Sequence, residues 1–277
     1  MSTPASSEPA FSGNGDVLIV ELRGVSHHYG VRPVLRDINL TVRRGQRVVI
    51  VGPNGMGKST LLALMAGVLY PLHGTVVLHG TPRRSSEEAE LTIRRRTVYL
   101  PDQAFLPRIR TGREWLLGVG RLYEIDIDRL IDRIDRLLQL FELSKLGDSP
   151  VSSYSQGQRK KLALCAAFAS EAPLMLLDEP FSGGLDPSGI LSLKRLLQRL
   201  TDELQTTVVL STPVPELVEE LADVVVVLRD GQILAQGSVD ELKQQTGDSR
   251  SLSEALEKLV FPETLANLDR FFAGGAS

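Results

Sequence analysis

The sequence has 277 residues, of which 42% are hydrophobic and 23% are charged, and its formal net charge is −3. This length and composition fit one large α/β domain, or two small lobes, with a sizeable buried core. The charge balance offers no basic field for nucleic acid or for an anionic membrane surface, so we expect no nucleic-acid partner. The single cysteine, Cys165, excludes an internal disulfide, and its apolar helical surroundings favour a buried structural thiol.

Targeting and membrane-spanning segments are not predicted. No apolar run approaches the roughly 18 residues that a spanning helix needs. The N-terminus lacks a charged start followed by an apolar stretch, so we expect no secretory signal. Residues 1–16 are rich in Ser, Pro, Gly and Ala and are predicted to be a disordered tail. We therefore expect a cytoplasmic protein that reaches a membrane only through a partner.

Apolar periodicity predicts an alternation of strands and helices from residue 17 onwards. This alternation favours a mostly parallel sheet with helices on both faces, and the strands around the first glycine-rich loop suggest a small antiparallel sheet beside it. The predicted strands are 17–22, 34–42, 47–51, 75–78, 97–100, 174–177 and 207–211, followed by a hairpin of 224–228 and 232–235. The predicted helices are 61–67, 87–96, a stretch from 112, 127–141, a helix through 165–169 after a polar loop at 152–158, 190–204, 217–221 and short helices after 237.

A glycine-rich loop between the strand 47–51 and the helix 61–67 matches the pattern G-x-x-x-x-G-K-[ST] completely. Glycine allows backbone conformations that a Cβ atom would block, so several N–H groups can turn towards one anion, and the following helix N-terminus adds positive charge. Lys58 can reach the β- and γ-phosphates, and the Ser59 hydroxyl can hold Mg²⁺. The loop therefore predicts binding of a nucleoside triphosphate. Its nine residues are Gly52, Pro53, Asn54, Gly55, Met56, Gly57, Lys58, Ser59 and Thr60.

Two adjacent carboxylates follow the apolar strand 174–177. Asp178 is placed to complete a Mg²⁺ shell opposite the phosphate loop. Glu179, one residue further on, could polarise an attacking water. Together with the phosphate loop, this pair indicates hydrolysis of the bound nucleotide, with Glu179 as the candidate catalytic residue.

Three segments in this order resemble the ATPase subunit of an ABC transporter. They are the phosphate loop, the run Tyr154-Ser155-Gln156-Gly157-Gln158 and the segment 174–180. The resemblance covers about 17–237 and implies a P-loop NTPase fold of the RecA-like type, with a small antiparallel β subdomain and a helical subdomain inserted at about 104–165. It implies ATP and Mg²⁺ as cofactors, and it leaves 238–277 as a C-terminal helical extension.

The resemblance also implies a dimer of ATPase subunits, either of identical or of different chains. Each ATP would lie between the phosphate loop of one subunit and the Ser155–Gln158 signature of the other, where Ser155 and the Gly157 N–H would donate to the γ-phosphate. Tyr29 matches the aromatic residue that stacks on adenine. A membrane-embedded permease would dock near 102–115, with Phe105, Leu106 and Trp115 as candidate contacts or core residues. The layout is most similar to bacterial exporters whose ATPase and permease are separate chains.

Several positions depart from the family pattern. Gln156 stands where the family usually has glycine. The metal-binding glutamine expected after the strand 97–100 falls on Asp102 by position, with Gln103 one residue late, and either could serve the metal. The loop after Pro180 carries an extra glycine in Gly183-Gly184. Whether Asp186, which follows this longer loop, reaches the other subunit of the dimer therefore stays open.

The largest departure follows the strand 207–211, where Pro213 replaces the switch histidine expected to contact the γ-phosphate. Proline has neither a side-chain donor nor a backbone N–H, so this contact cannot form and we expect slower hydrolysis. Two functions therefore stay open: an ATPase subunit that powers a permease, and a nucleotide-binding regulatory subunit paired with a more competent chain. A soluble ABC protein acting on ribosomes or DNA is a third possibility, disfavoured because neither a second cassette nor a long coiled-coil insertion is present.

Overall fold

The computed structural model describes residues 17–247, 249–261, 264, 267, 270 and 271. The predicted disordered tail at 1–16 lies outside the described residues, as does most of the chain after 261. No helix among the described residues is long and apolar enough to cross a membrane.

Two sheets form the framework of the molecule. The first is four-stranded and antiparallel, in the order β2-β1-β4-β5, and the second is six-stranded, in the order β10-β9-β3-β8-β7-β6. Neighbours from β9 to β6 in the second sheet pair in parallel, and β10 joins its edge in antiparallel fashion. Both predicted sheets are thus confirmed. The strands are β1 (Leu18–Tyr29), β2 (Arg32–Arg43), β3 (Arg47–Val51), β4 (His73–Leu78), β5 (Thr81–Pro82), β6 (Thr97–Leu100), β7 (Leu174–Leu177), β8 (Thr207–Ser211), β9 (Val224–Arg229) and β10 (Gln232–Gly237).

Nine helices are described, and they cover the parallel sheet or form a lobe at its side. Helices α3, α4 and α5 pack on one another to make this helical lobe. Their buried apolar side chains belong to the same core as one face of the parallel sheet, where the rings of Phe141 and Phe168 stack 6.3 Å apart. The helices are α1 (Lys58–Ala66), α2 (Glu87–Arg95), α3 (Gly112–Leu122), α4 (Ile127–Leu140), α5 (Gln156–Ala169), α6 (Pro187–Leu204), α7 (Pro215–Leu221), α8 (Val239–Gln245) and α9 (Leu252–Val260).

The core explains why the central strands were predictable. Strands β7 and β8 are buried along their whole length, so both faces of the sheet demand apolar or small side chains and the sequence reads as a continuous apolar run. Cys165 is fully buried in the helical lobe, as predicted, and burial raises the pKa of its thiol far above the ordinary value.

Several predicted boundaries were wrong. Helices α1 and α6 begin three residues earlier than predicted, at Lys58 and Pro187, and two further differences concern the site. Strand β1 continues to Tyr29, so this residue ends a strand instead of lying in the loop between two strands. Helix α5 begins at Gln156, so Gln156, Gly157 and Gln158 are helical and only part of the predicted polar loop at 152–158 is a loop. The cause is Ser155, whose hydroxyl accepts the Gln158 N–H and caps the helix three residues earlier than expected.

Candidate active site

The phosphate loop joins the end of β3 to the start of α1, and its glycines are required by close contacts. Gly52 has φ 151, and a Cβ atom there would lie 2.1 Å from the Leu228 carbonyl oxygen. Gly57 has φ 102, and a Cβ atom there would meet Leu35 Cδ2 at 2.8 Å. A larger residue at either position would therefore displace the loop from the neighbouring strands.

The start of α1 is open to an anion. Its N-cap, Gly57, offers no side-chain cap, and the first turn contains no acidic residue. The first N–H groups of the helix therefore remain available for phosphate oxygens. Ser59 is exposed in this turn, beside the buried Thr60.

The Lys58 ammonium lies inside the phosphate loop, where it would help to bind phosphate. Its Nζ donates to the carbonyl oxygens of Gly52 at 2.8 Å and Pro53 at 3.1 Å. Burial lowers the pKa of Lys58, and the nearby carboxylates of Glu179 and Asp178 partly oppose that effect. Strands β3, β8 and β7 are parallel neighbours, so both predicted carboxylates, directly after β7, lie at the same sheet edge as the phosphate loop.

The two carboxylate residues are held by one serine at the end of the next strand. Asp178 is only 3% exposed, and its Oδ1 accepts the Ser211 hydroxyl at 2.7 Å. The same Ser211 oxygen accepts the Glu179 N–H at 2.9 Å. Because β7 and β8 are parallel neighbours, their carboxyl ends lie together and bring these three residues into one cluster.

Glu179 adopts a left-handed backbone conformation, with φ 43. A left-handed residue other than glycine costs free energy and persists only where its surroundings hold it. The carbonyl oxygen of Glu179 accepts the Lys160 ammonium at 3.0 Å and the Ser182 hydroxyl at 2.8 Å. Asp102 joins this group, since its Oδ1 accepts the same Ser182 hydroxyl at 2.8 Å.

The signature run starts α5 and touches the lengthened loop. Ser155 and Gln158 form a capping box, in which each side chain accepts the backbone N–H of the other residue. A Cβ atom on Gly157 would lie 2.5 Å from the carbonyl oxygen of Gly184, so the extra-glycine loop packs directly on the signature backbone. Gln156 is exposed on the first turn of the helix.

The other predicted residues lie around this centre. Tyr29 is 54% exposed and makes an edge-to-face contact with His27, with ring centroids 5.0 Å apart. Pro213 lines a crevice of about 400 Å³ together with Gly52 and Asn54 of the phosphate loop. The position of the missing histidine therefore does adjoin the phosphate loop.

Asp186 is engaged within its own chain. Its carboxylate caps α6 by accepting the Gly189 N–H at 2.9 Å, and it pairs with the Lys161 ammonium at 2.9 Å. The hydrogen bond from Lys161 is the main reason that the pKa of Asp186 is lowered. This arrangement directs the carboxylate towards α5.

A groove of about 810 Å³ separates the loop 102–110 from α5. Gln103 lines it beside Asp102. Phe105 and Ile109 are 85% and 93% exposed, whereas Leu106 and Trp115 are partly buried against the core. The two most exposed apolar side chains of this loop, Phe105 and Ile109, therefore form an apolar surface that faces solvent.

The sequence does not single out three residues of the site: Ser211, Lys160 and Lys161. By sequence pattern alone, Ser211 is the end of an apolar strand, and the two lysines belong to a solvent-exposed helix face. The available signal is that Lys160 and Lys161 sit directly after the signature run, on a helix whose later residues are all apolar.

These residues fit a magnesium nucleotide. The described residues contain no group of three or more His, Cys, Asp or Glu that could hold a metal alone, so a metal here would need phosphate oxygens as ligands. Mg²⁺ is commonly bound in this way, through one or two protein ligands plus substrate phosphates. The Ser59 hydroxyl and the buried Asp178 carboxylate are oxygen donors of the kind that such a metal would need.

Comparison with known proteins agrees with this geometry. The protein family described as "ABC transporter" matches residues 35–182. The daunorubicin resistance ATP-binding protein DrrA3 of Streptomyces coeruleorubidus is 34% identical, over 83% of this chain and 72% of its own length. The energy-coupling factor transporter ATP-binding protein EcfA of Methanoculleus marisnigri is 32% identical, over 81% and 80%. The chain covers 64% of the sulfate/thiosulfate import ATP-binding protein CysA of Methylococcus capsulatus, at 37% identity.

Solved structures lead to the same family. An ATP-binding subunit of an ABC transporter superposes with a TM-score of 0.79 at 30% identity, covering 87% of this chain and 99% of its own. A dimeric ATP-binding cassette in a post-hydrolysis state, bound to ADP and Pi, gives a TM-score of 0.72 at 25% identity, covering 79% and 98%. With the phosphate loop and carboxylates in place, the chain belongs to the ABC transporter family and is one of its ATP-binding, ATP-hydrolysing subunits.

Proposed function

We propose that Glu179 is the catalytic residue of this ATPase and that it activates the water which attacks the γ-phosphate. The observation that carries this proposal is the common sheet edge of β3, β8 and β7, which are parallel neighbours, so that Asp178 and Glu179 follow β7 beside the phosphate loop that follows β3. At this edge, Lys58 would move from the loop carbonyls to the phosphates. A carboxylate beside the γ-phosphate is the group suited to orient the water.

The proposed metal site uses Mg²⁺ bound by the Ser59 hydroxyl and by Asp178. Bound Mg²⁺ supplies positive charge to the β- and γ-phosphates. Asp102 is favoured over Gln103 as a further group near the metal, because its carboxylate already joins the Glu179 cluster through Ser182. Of the other residues of the loop, Gly52–Gly57 would contact the phosphates through the backbone, and Tyr29 would stack on adenine.

The proposed assembly pairs two ATPase subunits and a permease. The Ser155–Gln158 run would complete the ATP site of a neighbouring subunit, which is either a second copy or a related chain. Phe105 and Ile109, exposed at the 810 Å³ groove, would contact a transmembrane permease at the inner face of the cell membrane. In this arrangement, ATP-driven closure of the ATPase dimer would drive the permease.

The corresponding domain proposal places the ATP-binding domain at 17–237, its helical subdomain at about 104–165 and the C-terminal extension at 238–277. In this scheme the 810 Å³ groove lies where the helical subdomain begins.

Hydrolysis is proposed to be slow because Pro213 cannot donate to the γ-phosphate. Losing one preorganised donor costs about 2.7–4 kcal/mol of activation free energy, or roughly 10²–10³ in turnover. The Pro213→His variant is therefore expected to raise kcat strongly, with little change in ATP affinity. Steady-state phosphate release would measure it, with Pro82→His, at an exposed position outside the crevice that Pro213 lines, as the matched control that should show no increase.

The alternative is a regulatory subunit that binds ATP and hydrolyses little. Pro213 and the Gly183-Gly184 insertion favour it, because Pro213 adjoins the phosphate loop and the inserted glycine lies in the loop that packs on the signature backbone. Tight ATP binding without turnover, in the wild type and in Pro213→His alike, would support the regulatory subunit. A measurable wild-type rate that rises in Pro213→His would support the slow ATPase.

A further inference from the structure

A buried lysine of the signature helix α5, Lys160, contacts the backbone of the proposed catalytic residue Glu179. The Lys160 side chain is 7% exposed, and its ammonium lies 3.0 Å from the Glu179 carbonyl oxygen and 3.3 Å from that of Asp102. The Asp102 carboxylate is 3.7 Å away. The aliphatic stem of Lys160 packs beside Gly183, where a Cβ atom would lie 3.5 Å from Lys160 Cδ. Three segments of the chain therefore converge on this one side chain.

Burial of the charged Lys160 ammonium is unfavourable unless neighbouring groups compensate for the lost hydration. Desolvation lowers the pKa of Lys160, and the carboxylates of Asp102, Asp178 and Glu179 act against that change. Since an unpaired buried charge is strongly destabilising, the surrounding oxygens and carboxylates must compensate for the burial. The ammonium is thus fixed in place by the same residues that form the site.

Glu179 needs this support, because its left-handed backbone is intrinsically unfavourable. Its N–H is fixed by Ser211, and its carbonyl oxygen is fixed by Lys160 and Ser182. Lys160 is the only one of the three that comes from the helical lobe. A shift of α5 would therefore pull directly on the backbone of Glu179.

We propose that Lys160, on the signature helix α5, is a positioning residue that fixes the backbone conformation of Glu179. It thereby fixes the direction in which the Glu179 carboxylate points. This inference rests on the proposed role of Glu179 as the catalytic residue. Because the same ammonium binds Asp102 at the edge of the 810 Å³ groove, Lys160 also links that groove to Glu179. A partner that moves the loop 102–110 would then change the backbone position of Glu179 without contacting ATP.

The test is the Lys160→Met variant, which removes the ammonium and keeps an unbranched stem against Gly183. Turnover depends on geometry, and a displacement of about 1 Å costs up to roughly a hundredfold. We expect kcat for ATP to fall by about tenfold to a hundredfold, with KM within about twofold of wild type. The exposed Lys145→Met is the charge-matched control and should keep wild-type kcat and KM.

A second variant keeps the test decisive if Lys160→Met fails to fold. Ser182→Ala removes the hydroxyl donor to the Glu179 carbonyl and leaves the Ser182 N–H, which donates to the same oxygen at 3.1 Å. This variant should therefore lower kcat in the same direction but by a smaller factor than Lys160→Met, again without a change in KM. Wild-type kcat in a folded Lys160→Met protein, or a loss confined to KM, would overturn the proposal. Wild-type kcat in Ser182→Ala would do so where Lys160→Met does not fold.

Glu179→Gln, assayed alongside, separates this inference from the proposed function. If Glu179→Gln retains wild-type turnover, the role of Glu179 itself is refuted. If it abolishes turnover while Lys160→Met does not lower kcat, only the positioning role is refuted.

Discussion

The hydroxyl of Ser211 joins both carboxylate residues of the site, so its removal should affect stability and catalysis together. Ser211 is fully buried, donates to the Asp178 carboxylate at 2.7 Å and accepts the Glu179 N–H at 2.9 Å. The Ser211→Ala variant deletes only the oxygen atom. It leaves a buried carboxylate without one donor and a backbone N–H without its acceptor.

The size of the effect follows from these two bonds. A hydrogen bond to a charged group contributes about 1.5–3 kcal/mol, and an unpaired buried N–H costs about 1–3 kcal/mol. Because the two losses share one atom and the site can partly relax, we expect Ser211→Ala to lower the free energy of unfolding by roughly 3 kcal/mol. Loss of the fixed Glu179 N–H should also lower kcat by about tenfold.

Ser170 provides a matched control far from the site. Its hydroxyl is also buried, donates to Ala167 O at 2.6 Å and accepts the Ala172 N–H at 3.2 Å. Ser170→Ala should lower the free energy of unfolding by roughly 2 kcal/mol, since both partners are neutral, and leave kcat unchanged. Urea unfolding and steady-state phosphate release measure the two quantities. Equal effects of both variants on stability and on kcat would refute this reasoning.

Two further predictions concern the phosphate loop and the core. Gly52→Ala should weaken ATP binding by at least about tenfold, because its Cβ atom would clash with Leu228 O, whereas Gly80→Ala, in open space, should not; calorimetric titration with ATP compares them. Cys165 should resist alkylation by iodoacetamide at about pH 8 in the folded protein and react in urea, because burial raises its pKa; rapid labelling of the folded protein would contradict this.

Much of the fold could be predicted from the sequence because the central strands are buried on both faces. The predicted strands 47–51, 174–177 and 207–211 coincide with the central strands β3, β7 and β8, and the predicted strand 97–100 coincides with the edge strand β6. Burial on both faces of a parallel sheet demands a continuous apolar run, which is a local signal. The phosphate loop is equally local, since the glycines, the lysine and the helix start lie within nine residues.

The remainder depends on contacts between distant segments. Lys160 reaches Glu179 across 19 residues of sequence, and Ser211 reaches Glu179 across 32, so neither contact leaves a periodic pattern. The start of α5 was missed for a different reason. Ser155 and Gln158 are polar, as loop residues are, and their capping-box spacing was the signal that would have marked the helix start.

The contact between Gly184 and Gly157 also could not be foreseen. The extra glycine was visible as a departure from the family pattern, and its position against the signature backbone is known only from the folded chain. Pro213 is the opposite case, because proline lacks a donor in any conformation. The chemical consequence at that position was therefore predictable before the fold was known.

The role of Glu179 is tested by ATP turnover of the wild type beside Glu179→Gln, with ATP binding measured for both proteins. We expect a slow but measurable rate in the wild type, loss of that rate in Glu179→Gln, and equal ATP affinity. Turnover that persists in Glu179→Gln would contradict the assignment of Glu179, and failure of both proteins to bind ATP would contradict an ATP site at the phosphate loop.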